Sequence, residues 1–171
     1  MCHDEFMDKL DSILEQWRQA RPDVDCTAMA VVGRLGRLVI HLQNQLAGNF
    51  AAFGLKDGEF DVLATLRRAG GADGLCPTDL YTSLMLTSGA VSKRLDRLEA
   101  AGWVSRQPNP DDRRALRIHL TPAGLALIDR ALEGHVAAME DALAPLAPEQ
   151  RAQLASLLKH WLQGFPGESQ G

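Results

Sequence analysis

Residues 77–122 constrain the fold more than any other part of the chain, because two helical stretches only a few residues apart run straight into a pair of strand-like segments. Pro77 to Met85 reads as a short helix. Thr87 and Ser88 then offer a hydroxyl cap for a second helix over residues 88–101, which Gly102 ends. Trp103-Val104 on one side and Leu116 to Leu120 on the other flank the turn cluster Asn109-Pro110-Asp111-Asp112, the signature of a hairpin. Thr121 before Pro122 restarts helix, with a capping hydroxyl preceding proline at the first helical position. Helix, turn, helix and hairpin in that order make the winged form of the helix-turn-helix. In it the second helix enters the major groove, and the hairpin reaches the adjacent backbone or minor groove.

The remaining chain is helical by periodicity. Phe6, Leu10, Ile13, Leu14 and Trp17 repeat on one face of a first helix, which Arg21-Pro22-Asp23 breaks. A second long helix spans residues 28–52 with Val32, Leu35, Leu38, Val39, Leu42 and Leu46. A third covers residues 57–69 and closes at Gly70-Gly71-Ala72-Asp73-Gly74, a loop with no preceding strand and no Gly-Lys-Ser/Thr ending, hence not a phosphate cradle. Leu125, Ile128, Leu132, Val136 and Met139 line a further helix. After Pro145 and Pro148 a last one carries Leu154, Leu157, Leu158, Trp161 and Phe165. The expected fold class is mainly α with a small β wing. Its 171 residues form one compact unit of three parts: N-terminal helices over 1–52, a winged helix-turn-helix over 53–121, and C-terminal helices over 122–171. A winged helix of about 70 residues needs no amphipathic helix at either end, so the apolar stripes at both termini predict a homodimer interface.

The formal charge of −4 conceals an uneven distribution. Residues 87–121 hold seven Lys or Arg against four acids, a local +3, while both chain ends are acidic. A concentrated basic segment can meet phosphates even in an acidic protein, since screening beyond about 8 to 10 Å mutes remote carboxylates. No apolar run reaches membrane-spanning length and the N-terminus is acidic, so the expected location is the cytoplasm, with no membrane partner. Cys2, Cys26 and Cys76 have no CxxC spacing and suggest neither a disulfide framework nor a zinc site. The five histidines are scattered and neither GxSxG nor HExxH occurs. The chain is therefore expected not to be an enzyme and to need no metal or cofactor.

On a helical wheel Val91, Leu95 and Leu98 form the buried edge of the second motif helix. Thr87, Ser88, Gly89 and Ser92 face outward, small enough for the helix N-terminus to approach phosphates, with Lys93 and Arg97 beside them. Residues 87–124, TSGAVSKRLDRLEAAGWVSRQPNPDDRRALRIHLTPAG, resemble the recognition helix and wing of the MarR family of bacterial transcription regulators. The Leu-Glu-x-x-Gly exit, the Asp-Arg-Arg wing and the closing Leu-Thr-x-x-Gly occur in the family's order, and the helix count extends the likeness over most of the chain. The resemblance implies a homodimer on double-stranded operator DNA. It places Arg114 in the minor groove, with Arg113 beside it and Asp112 orienting the guanidinium.

The resemblance also implies an effector. This chain is similar to the urate-responsive subgroup at Trp17, Asp61, Arg94 and Arg106, which would hold a small anionic or aromatic ligand such as urate. Arg94 falls about 60° from Val91 on the wheel, flanking the buried edge. Its counter-ion there is Asp61, a ligand, or both. Tyr81, Cys76 and Lys56 depart from the family pattern, where a small alanine, a threonine cap and a capping hydroxyl are usual. Two other readings stay open: a thiol or oxidant sensor of the same family, and an interaction protein that has lost DNA binding.

Overall fold

Side-chain caps set where three of the seven described helices begin. The computed structural model describes residues 7–56, 58–71, 73–85, 87–109 and 115–167. Its elements are α1 (Lys9–Ala20), α2 (Ala28–Ala52), α3 (Glu59–Ala69), α4 (Pro77–Leu84), α5 (Ser88–Ala100), β1 (Val104–Pro108), β2 (Leu116–Leu120), α6 (Pro122–Leu143) and α7 (Pro148–Leu162). They fall into two compact units, Met1–Gln45 and Leu46–Gly171, dividing inside α2. No such division separates residues 53–121 from α6, because Leu127, Ile128 and Ala131 of α6 belong to the same buried cluster as the helix-turn-helix.

In the first unit, Asp8 caps α1 by accepting from the backbone of Leu10 at 2.7 Å and of Asp11 at 3.1 Å, and Asp11 returns a bond to Asp8 N at 2.9 Å. Both carboxylates also grip Arg34 of α2, at 2.9 and 2.6 Å. The hydrogen bond from Arg34 holds the Asp8 carboxyl below the ordinary carboxylate range.

In the second unit α3 is the central element and packs on α4, α5, α6 and β2. Leu63, Leu80, Val91, Leu95, Leu98, Ile118 and Ile128 are all but sealed from solvent. The expected stripe Val91, Leu95 and Leu98 is thus the buried edge of α5. α3 begins at Glu59, two residues later than the periodicity suggests, because Gly58 precedes it in the left-handed region at φ 70°, a conformation natural to glycine. Lacking a hydroxyl cap, this end is closed by Glu59, whose Oε2 accepts from Lys56 N at 2.8 Å. β1 and β2 pair antiparallel with Val104 opposite Leu120 and Arg106 opposite Ile118. A third partner appears that periodicity does not reveal: Leu75, in the loop before α4, exchanges backbone bonds of 3.0 and 2.8 Å with Ile118. α7 ends at Leu162, ahead of Gly164 and Pro166, so Phe165 lies beyond the helix on which its apolar spacing placed it. Among the described residues no helix is long and apolar enough to cross a membrane.

His135 of α6 packs beside the stacked pair Phe50 and Phe60, with centroids 5.1 and 4.7 Å away, and its Nδ1 is buried without a hydrogen-bond partner. Burial pushes its imidazole below the usual histidine value, against a smaller upward pull from the Asp61 carboxylate. The unfolded chain therefore binds the proton at a higher pH than the folded one, and stability falls as pH drops below the unfolded value of about 6.5. Thermal unfolding of His135→Phe should lose less stability than wild type between pH 7.5 and 5.5. An unchanged pH slope would place the acid sensitivity elsewhere.

Candidate functional site

The outward face of α5 is open from its first residue. Thr87 caps the helix through an Oγ1 that accepts from Ala90 N at 3.4 Å, and Thr87, Ser88, Gly89 and Lys93 are exposed, with Ser92 half-buried. Small side chains at an exposed helix N-terminus leave backbone N–H groups and the positive end of the dipole within reach of a phosphate. Asp112, Arg113 and Arg114 lie outside the described residues. The hairpin that carries them is anchored at its base by the β1–β2 ladder and by Leu75.

Arg97 does not stand beside Lys93 as a free cation. Its Nη2 lies 2.9 Å from Oε1 of Glu59, a carboxylate only 1% exposed, while the arginine side chain itself is 41% exposed. That oxygen makes no hydrogen bond, so the contact is ionic, and Arg97 is thereby turned toward α3. A buried acid holding the reading helix was not expected from sequence. The available signal was Glu59 itself, a carboxylate in the first turn three residues after an uncapped Lys56.

Arg94, three residues earlier on α5, also reaches the start of α3. A Cβ on Gly58 would collide with its guanidinium, so the close approach requires glycine. Arg94 and Asp61 line one open cleft of about 370 Å³ with Gly58, Arg68 and Ser83. Among the described residues Arg94 pairs with no carboxylate, Asp61 included.

Arg106 is not in that cleft. It bridges to the outer acids of α5, with Nη2 2.6 Å from Asp96 Oδ1 and Nη1 2.7 Å from Glu99 Oε2. Partial burial disfavours its cation, but the two carboxylates more than offset this and hold it above the ordinary arginine value. Committed to two acids, Arg106 ties β1 to α5. Trp17 is half-exposed on α1 and belongs to the first unit. Of the four residues expected to share a ligand, the cleft holds Asp61 and Arg94. Cys26 and Cys76 are free, half-buried thiols, and Cys76 precedes α4 without making a side-chain cap.

A model of the MarR family matches residues 53–115, from the end of α2 into the wing. The chain is 41% identical over 150 residues to the HTH-type transcriptional regulator PecS of Dickeya dadantii, covering 88% of this chain and 90% of that protein. The structure superposes on AbsC, a MarR family transcriptional regulator from Streptomyces coelicolor, with a TM-score of 0.71 at 28% identity, over 80% of this chain and 92% of AbsC. It also superposes on a mutant MarR from Escherichia coli complexed with operator DNA, with a TM-score of 0.68 at 27% identity, over 81% of this chain and 99% of that one. With the helix-turn-helix, the two-stranded wing and the exposed cap of α5 in the family's order, the chain belongs to the MarR family of winged-helix transcriptional regulators.

Proposed function

We propose that the protein is a homodimeric repressor that binds a pseudo-palindromic operator near its own gene and leaves it when a small anionic aromatic compound such as urate occupies the cleft of Asp61 and Arg94. The observation that carries the DNA reading is the exposed N-terminal face of α5, Thr87, Ser88, Gly89, Ser92 and Lys93, set directly before a hairpin. These residues enter the major groove. Arg113 and Arg114, with Asp112 orienting the latter, belong to the minor groove beside it. Dimerisation follows from apolar side chains that one chain leaves in solvent, Leu132, Val136 and Met139 on α6 and Leu157, Trp161 and Leu162 on α7. Two copies on one duplex put the half-sites about 10 bp apart.

Release works by differential affinity. An anion drawn to Arg94 pulls on a side chain of the reading helix, so a ligand that binds one setting of α5 better disfavours the other.

The test is fluorescence anisotropy of the protein on a duplex from upstream of its gene, competed with a scrambled duplex, with and without urate. We expect preference for the upstream duplex and its loss with urate. Lys93→Ala should weaken binding to all duplexes and lower the salt slope by about 1, as for one lost phosphate contact. Arg114→Ala should weaken operator binding more than tenfold while the dimer persists. No preference for the upstream duplex would remove the operator reading, and preference indifferent to urate would remove urate as effector.

A further inference from the structure

The cleft contains a second arginine that no reading of the motif assigns. Positions 58, 61, 65 and 68 lie on one stripe of α3, and Arg68 is seven residues beyond Asp61, about 10 Å along the axis at 1.5 Å per residue. Arg94 enters from α5 over Gly58, so the two guanidinium-bearing residues come from opposite ends of the same groove.

Their partners set them apart from their neighbours. Arg67 is taken by Asp129 at 2.7 Å, and Arg97 and Arg106 are held by Glu59, Asp96 and Glu99. Among the described residues neither Arg68 nor Arg94 has a carboxylate partner. Among the described residues Arg68 makes a 3.4 Å contact from Nη2 to Thr65 Oγ1, at the weak end of the range.

Two cations against Asp61 leave the groove net positive. A monoanion would balance that charge, but forked by Arg94 it would leave the guanidinium of Arg68, from the other end of the groove, unengaged.

We propose that the cleft takes a small dianion with two acidic groups at opposite ends of its frame, one forked by Arg94 and the other by Arg68. The proposal rests on the reading of Asp61 and Arg94 as the effector site and departs from it in the class of effector, since urate is a monoanion at neutral pH. Arginine suits the task because its planar fork accepts a carboxylate through two parallel hydrogen bonds. Ser83, at the end of α4, lines the same groove and offers a hydroxyl to the bound frame.

Calorimetric titration of the full chain with benzoate and with terephthalate tests this, since the two share a ring and differ in whether a second carboxylate stands opposite the first. Terephthalate should bind at least tenfold tighter. Arg68→Ala should reduce terephthalate to the affinity of benzoate while leaving benzoate within twofold, and Arg68→Lys should restore part of the difference. Arg94→Ala should weaken both. Thermal unfolding of each variant checks that the fold is intact. Equal affinity for the two ligands, or an advantage of terephthalate that survives Arg68→Ala, overturns the dianion proposal. If Arg94→Ala still weakens both ligands in that case, the single-anion site stands without it. Indifference of both ligands to Arg94→Ala, or no binding of either, overturns both readings.

Discussion

Arg97→Ala should cost the protein about 3 kcal/mol of stability, at the lower end of the range for removing one partner of a buried ion pair. The loss comes from the carboxylate left behind. Glu59 is 1% exposed, and without Arg97 its Oε1 keeps neither a cation nor a hydrogen bond. The exposure of Arg97 to water brings the figure down from the upper end. Glu59→Gln in the Arg97→Ala background should recover more than half of the loss, because it neutralises the stranded charge and keeps an oxygen for Lys56 N. Urea unfolding of the two single variants and the double variant closes the cycle. A loss below about 1 kcal/mol for Arg97→Ala would mean that the pair behaves like a surface bridge and that apolar contacts alone seat α5.

Gly124→Ala should be of similar size, roughly 3 kcal/mol, for a steric reason. The start of α6 is folded back on the exit of α5. Thr121 N donates to Trp103 O at 3.0 Å, Thr121 Oγ1 donates to Gly102 O at 2.7 Å, and the same Oγ1 accepts from Gly124 N at 3.0 Å. A Cβ on Gly124 would overlap the carbonyl oxygen of Trp103. The obstacle is backbone, which cannot swing aside as a side chain can, so either the wing strand or α6 must move. Denaturant unfolding should show the loss, and operator affinity should fall with it because the wing is displaced. A variant as stable as wild type would show that this junction yields without strain.

Much of the fold was legible because its signals are local. The apolar stripe of α5, the Thr121-Pro122 start of α6 and the turn cluster of the hairpin each specify their element within a few residues, and the family resemblance drawn from residues 87–124 agrees with the match over residues 53–115. What escaped is tertiary. Leu75 pairs with Ile118 as a single bridge, and one residue in a loop has no periodicity to announce it. Glu59 reads from sequence as a solvated helix acid, and only the packing of α5 over the first turn of α3 buries it. Asp96 and Glu99 are visibly one turn apart, yet nothing local says that Arg106, on the following strand, closes on both. Nor could the resemblance that named Arg94 and Arg106 together show that one is engaged by two acids while the other faces a cleft.

The first turn of α3 holds two arginines of α5, Arg94 against Gly58 and Arg97 against Glu59. One seat thus serves both the cleft and α5, and under the proposed function the effect must run in both directions. Whatever factor an effector takes from operator affinity, the operator takes from effector affinity, because both changes belong to one thermodynamic cycle. Cells holding many operator copies would therefore need more effector for the same response than their protein concentration alone implies.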